Sequence, residues 1–188
     1  MKKRLVTVLI IGLIILLGYA VFFFVTLKSD EDQIRDEVRS VYGEASIIEI
    51  KMLDGGSDAI VIFEWRSRNV GVMTLSKSWF EWDMVESSSE RFPRSMTRGV
   101  FYREFDQYTV LTGYVGGETS DIKVYFKEEP DGLLATIKED NIVGRTWYLI
   151  TENDNLSDVV MKAYDEEGNV IAEMDESVFN GARLDLNN

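Results

Sequence analysis

Ala59-Ile60-Val61-Ile62-Phe63-Glu64-Trp65 decides how this chain is read. Its side chains alternate across an extended backbone. Ala59, Val61, Phe63 and Trp65 share one face, and Ile60, Ile62 and Glu64 take the other. β-Branched and aromatic residues suit a pleated, packed surface, so the segment is expected to be a strand. Upstream, Ala45–Leu53 is apolar and β-branched around Ile47, Ile48 and Ile50, and Asp54-Gly55-Gly56-Ser57 has the composition of a turn. Downstream, Ser67-Arg68-Asn69 turns the chain into Val70–Lys77, and Trp79–Val85 follows.

A helix is expected ahead of these strands. Ser29 can cap it, and Asp30, Glu31 and Asp32 sit at the positive end of its dipole. Ile34, Val38 and Val41 form one narrow apolar stripe, and Gly43 occupies the usual place after the last turn. The helix therefore either covers a sheet or extends outward as a stalk. Residues 29–92 read as a helix plus a four-stranded antiparallel meander.

Ser87-Ser88-Ser89-Glu90 through Pro93 has linker composition. Strands are expected beyond it at Val100–Phe105, Tyr108–Val115, Ile122–Lys127, Leu133–Lys138, Thr146–Thr151, Val159–Tyr164 and Val170–Met174. Turns are expected at Gly116-Gly117, Pro130-Asp131-Gly132 and Glu166-Glu167-Gly168-Asn169, with Gly168 at positive φ. That cadence predicts an Ig-like β-sandwich over residues 93–175. Residues 176–188 are expected to be a loose polar tail. The fold class is thus α+β, mainly β, behind an N-terminal apolar helix.

That helix comes from Leu5–Leu27 (LVTVLIIGLIILLGYAVFFFVTL), which carries no charge. A helix of this length spans roughly 34 Å, enough for a hydrocarbon core of ~30 Å. Lys2, Lys3 and Arg4 precede it, whereas Lys28 alone follows before Asp30, Glu31 and Asp32. The positive-inside rule places residues 1–28 as a cytoplasmic stub and single-pass anchor, with the rest extracytoplasmic. Gly18-Tyr19-Ala20 is a passable cleavage site, but the apolar run continues through Val25, beyond the usual ~7–15 residues of a signal peptide.

Two other stretches extend the reading. Val70-Gly71-Val72-Met73-Thr74-Leu75 precedes Trp79-Phe80-Glu81-Trp82, and later come Gly113-Tyr114-Val115, Arg145-Thr146-Trp147-Tyr148 and Ala163 through Val170. With Ala59–Trp65, this succession resembles small exported or membrane-anchored proteins of bacilli, over about residues 45–174. The resemblance implies location and architecture, and it transfers no functional residue.

Composition excludes much chemistry. The chain has 188 residues, no cysteine, no histidine and a formal charge of −13. Disulfides, thiolate nucleophiles, zinc fingers, Ser-His-Asp triads and histidine switches are all ruled out. Setting aside Lys2, Lys3, Arg4 and Lys28 leaves 16 basic against 33 acidic residues, a charge of −17. Nucleic acid, which needs clustered cations, is not an expected partner.

Trp79, Glu81 and Asp83 are the candidate binding residues. On one strand they would set a flat ring beside two carboxylates, as a sugar or peptide patch requires. Glu81 and Asp83 could also serve as an acid–base pair. Glu152, Asp154 and Asp158 are candidate Ca²⁺ ligands in an oxygen-rich turn, with Asp54 and Asp58 as a second such place. Ser120-Asp121-Ile122-Lys123 has S-x-x-K spacing, but on a strand its ends point apart. No cofactor is expected. The expected role is a non-catalytic interaction module for an envelope protein or wall polymer. An enzyme acting on envelope polymer and a regulatory subunit of a membrane partner are the alternatives.

Overall fold

The computed structural model describes residues 2–26, 28–66, 69–79, 81–91, 100–140, 144–152 and 156–175. These form a mainly β, antiparallel structure with two helices. Helix α1 runs Lys2–Thr26 and α2 runs Asp30–Tyr42. Side chains of α1 are described from Ile10 to Phe22, and among the described residues no helix is long and apolar enough to cross a membrane. The anchor expected for Leu5–Leu27 therefore rests on sequence. The tail expected at 176–188 and the last two residues of the linker expected up to Pro93 lie outside the described residues.

Helix α2 starts and stops where its residues dictate. Ser29 Oγ accepts from the Asp32 amide at 3.2 Å, and the Gly43 amide donates to the Arg39 carbonyl at 2.8 Å with φ 66°. Ile34 and Val38 are buried, but Val41 is 44 % exposed. Tyr42 completes the inward stripe instead. Its ring lies 4.5 Å from Phe63 and 5.3 Å from Trp65, and its hydroxyl is 3.0 Å from Ser87 Oγ. The helix covers a sheet.

That first sheet has the order β1 (Ser46–Leu53), β2 (Asp58–Trp65), β3 (Asn69–Ser78), β4 (Glu81–Arg91). Strand β2 alternates as expected. Ala59, Val61 and Phe63 pack under α2 with Met73, Leu75 and Trp82, while Ile60 and Ile62 pack on the opposite side. The serine run is not a linker. Ser87, Ser88 and Ser89 continue β4 and pair with Met73, Val72 and Gly71. A bulge makes this possible: Leu75 pairs with Met84 and Thr74 with Glu86, leaving Val85 as the extra residue. The bulge switches parity, so that Trp82 and Ser87 both face α2 while Glu86 faces away and meets Arg103 at 2.9 Å.

The remaining strands form two further sheets. The second has the order β5 (Val100–Phe105), β6 (Tyr108–Tyr114), β10 (Gly144–Thr151), β9 (Thr136–Asp140). The third has β12 (Val170–Met174), β11 (Val160–Tyr164), β7 (Asp121–Phe126), β8 (Glu129–Leu134). They pack face to face as a sandwich-like pair around Leu111, Trp147, Leu149, Ile122, Val124 and Met161. The expected single strand Leu133–Lys138 is two strands, because the chain changes sheets at Ala135. Pro130 and Gly132 lie in β8 rather than in a turn. This is an edge strand, where proline's missing donor costs no ladder bond. Gly168 has φ 81°, as expected.

The first and second sheets also share a core. Ile60, Ile62, Val70 and Val72 pack against Phe101 and Val110, with Tyr108, Tyr114, Tyr148 and Ile150 around them. At roughly 1.5–3 kcal/mol per buried large side chain, this contact stabilises by on the order of 10 kcal/mol, an upper figure because denatured chains already cover part of that surface. Arg103–Glu86 (2.9 Å), Tyr114–Glu64 (3.0 Å) and Lys138–Glu49 (3.0 Å) bridge the same two sheets. The layers therefore run α2, first sheet, second sheet, third sheet.

Candidate functional site

Strands β3 and β4 end in a two-residue turn between paired Ser78 and Glu81. Trp79 occupies the first turn position with φ 21° and is 93 % exposed. It does not lie on the strand face of Glu81 and Asp83, as the sequence suggested. Glu81 and Asp83 are exposed on β4, and Asp83 accepts from Ser78 Oγ at 2.8 Å. Phe80 lies outside the described residues. Behind the turn, Trp82 is buried under α2, and Lys77 extends toward it, its Nζ 5.8 Å from the ring centroid.

Lys77 also joins the turn to the start of α2. Its Nζ lies 2.6 Å from Asp30 Oδ1. That hydrogen bond holds the Asp30 carboxyl below the usual carboxylate range; partial burial opposes it and the nearby Trp82 indole assists. Trp82 Nε1 itself reaches no acceptor at good hydrogen-bond geometry. The β1–β2 connection is at the same end of the sheet, where the Lys77 amide donates to the Ser57 carbonyl at 2.7 Å.

Two clefts flank the body. One, of about 450 Å³, lies between the first turns of α2 and strand β1, lined by Asp30, Glu31, Arg35, Ile47, Ile50 and Met52 among others. Strand β1 is an outer strand of its sheet, so one side of its backbone is not paired in that sheet. The other, of about 390 Å³, lies among Gly117–Ser120, Arg145 and Asp165–Glu167. Arg145 Nη1 donates to the Gly116 carbonyl at 2.7 Å and the Gly117 carbonyl at 3.1 Å. Asp165 accepts from the amides of Glu167 (3.0 Å) and Asn169 (2.8 Å), and the Asn169 bonds hold its carboxyl low. Both sets of bonds fasten turns.

Of the three expected calcium ligands, two are described. Glu152 is exposed, Asp158 sits at φ 62° with Lys127 3.7 Å away, and Asp154 lies outside the described residues. Among the described residues, no group of three or more acidic side chains is placed to hold a metal ion. Ser120 lies just before β7, and its amide donates to the Tyr164 carbonyl at 2.7 Å.

Sequence reasoning missed the outer face of the third sheet. Tyr125 and Tyr164 face outward there with their hydroxyls 2.6 Å apart. Gly132, at φ 72°, leaves room for the Tyr125 ring to lie against its backbone: an added Cβ would be 2.8 Å from Cε1. Lys162 Nζ stands 5.8 Å from the Tyr125 centroid and 3.2 Å from Glu173. The alternation of β7 and β11 carried this signal, but only strand pairing shows that the two rings meet.

No family model, no curated protein and no solved structure matches this chain.

Proposed function

We propose that this chain is a membrane-tethered, extracytoplasmic interaction module without catalytic activity of its own. Leu5–Leu27 is the single-pass tether, and the acidic β-rich body is held outside to bind an envelope protein or wall polymer. The observation that carries this reading is α1 itself. Every described large apolar side chain of the helix from Ile10 to Phe22 is at least half exposed, so the body does not cover it. In water such a surface is unfavourable; in lipid it is solvated, and the helix satisfies its own backbone. The basic Lys2-Lys3-Arg4 sets the orientation.

The interaction role draws on the body's shape. An outer strand beside a cleft of about 450 Å³ suits an added strand or extended peptide. The two later sheets would act as Ig-like sandwiches do, presenting loops and an outer face on a rigid core. Glu81 and Asp83 are exposed and outside both clefts, so no geometry favours an enzyme built on them.

The test combines topology and capture. In intact cells, external protease should digest the body while the N-terminus stays protected, and alkaline carbonate should leave the chain in the membrane fraction. Photo-crosslinkers at Met52 and Ile50 should capture a defined envelope component. A carbonate-soluble chain, or a body shielded from external protease, would refute the tether. Crosslinks to lipid and solvent alone would refute the interaction role.

A further inference from the structure

We propose that the β3–β4 turn docks on the membrane that anchors the chain, with Trp79 seated in the interfacial layer of the bilayer. This rests on the reading of Leu5–Leu27 as a transmembrane tether. Three observations converge on it.

The first is position. Asp30 follows Lys28 by two residues, a chain reach of at most ~7 Å. Lys77 Nζ is 2.6 Å from Asp30 Oδ1, and Trp79 is two residues beyond Lys77. The turn is therefore fastened to the part of the chain that emerges from the anchor. The polar layer on each side of a bilayer is roughly 5–7 Å thick, within reach of a tryptophan side chain projecting from such a turn. The Lys77 amide bond to Ser57 keeps the β1–β2 connection at this same end, so the end of the sheet as a whole, rather than a stray loop, faces the membrane.

The second is exposure. Trp79 is 93 % exposed, whereas Trp82 and Trp147 are 4 % and 1 %. A large aromatic ring left in water by its own fold is a surface awaiting a partner. Tryptophan is the residue favoured at membrane–water interfaces, where its ring meets apolar matter and its N–H stays hydrated.

The third is backbone conformation. Trp79 holds φ at 21°, a region that L residues rarely occupy. The tight turn leaves the side chain pointing away from the sheet at a conformational cost. Glycine or asparagine would fill this place with less strain.

Charge narrows the lipid chemistry. Asp30, Glu31, Glu81 and Asp83 surround this end of the sheet, so docking is shallow and suits zwitterionic rather than anionic headgroups. Trp79 then limits the swing of the body on its tether and sets which face meets partners.

The experiment uses the full chain in vesicles of phosphatidylcholine brominated along one acyl chain, against unbrominated vesicles. Bromine quenches tryptophan emission only at lipid depth. The chain has four tryptophans, so wild type should lose up to about a quarter of its emission, and Trp79→Phe should lose almost none. Phenylalanine keeps an aromatic ring in the turn, and an unchanged circular-dichroism melt confirms the fold. Flotation separates the two layers of the argument. A chain that does not float with vesicles overturns the tether and the docking with it. A chain that floats, with wild type and Trp79→Phe quenched equally, leaves the tether standing and overturns the docking.

Discussion

Gly71→Ala sets two well-known effects against each other. Gly71 lies in β3 directly opposite Phe63 in β2. A Cβ at that position would stand 2.5 Å from Phe63 Cζ and 2.7 Å from Cε2. The ring has little freedom to retreat, because Phe63 is fully buried and the Tyr42 ring centroid lies 4.5 Å from its own. Glycine inside a strand costs roughly 0.5–1 kcal/mol relative to alanine, so propensity alone makes the substitution stabilising. Overpacking a dense core costs about 1–3 kcal/mol. The steric cost exceeds the propensity gain, and a net destabilisation of about 1–2 kcal/mol is expected. For a chain of this size that lowers Tm by about 2–8 °C. The full chain in detergent, followed by near-UV circular dichroism and urea unfolding, gives the number. Phe63→Leu removes the two clashing atoms, so in that background the same alanine should be neutral or stabilising, with a coupling above about 1 kcal/mol. A wild-type background in which alanine is as stable as glycine would refute the packing described for this sheet.

Three further outcomes follow from the same structure. Deleting Val85 removes the extra residue and leaves Trp82 and Ser87 four positions apart, still on one face of a regular strand, so stability should change by no more than about 1 kcal/mol; a fall of about 3–5 kcal/mol, as for loss of a core tryptophan, would show that β4 is not bulged at Val85. Asp30, Asp36 and Asp165 are held below 3.8 chiefly by Lys77, Lys28 and Asn169 respectively. The unfolded chain binds protons first, so this stabilisation is complete above the ordinary carboxylate range and is lost as pH falls through and below it; Asp165→Asn should flatten that dependence in urea melts at stepped pH. Tyr164, hydrogen-bonded to Tyr125, and Tyr148, raised mainly by burial, are both pushed up to about 12. Their stabilisation is present below pH 10 and lost as pH rises toward 12, and Tyr164→Phe should remove part of the late absorbance rise at alkaline pH without touching the early one.

The candidate site was only partly legible beforehand. Trp79, Glu81 and Asp83 stand out by residue type, but the strand expected over Trp79–Val85 begins at Glu81, which moves Trp79 off their face and into the turn. No local pattern announces that turn, since neither glycine nor asparagine marks it. The Lys77–Asp30 pair spans 47 positions and carries no periodic signal. The Tyr125–Tyr164 pair, 39 positions apart, was invisible for the same reason.

Local chemistry determined the short-range features of this protein. Ser29 and Gly43 bound α2 because a hydroxyl can cap free amides and glycine accepts positive φ, and β2 alternates because successive side chains of an extended chain point to opposite faces. Tertiary structure decided what each face meets. Ile60 and Ile62 are as apolar as Val61 and Phe63, yet only the assembled layers show that one pair meets the second sheet and the other meets α2. The serine run became a strand because β3 offered it a ladder, and Val85 bulged because Trp82 faces α2 while Glu86, four residues on, faces Arg103 in the second sheet. Periodicity is written into neighbouring residues, whereas partner, layer and register are settled by the free energy of packing surfaces distant in the chain.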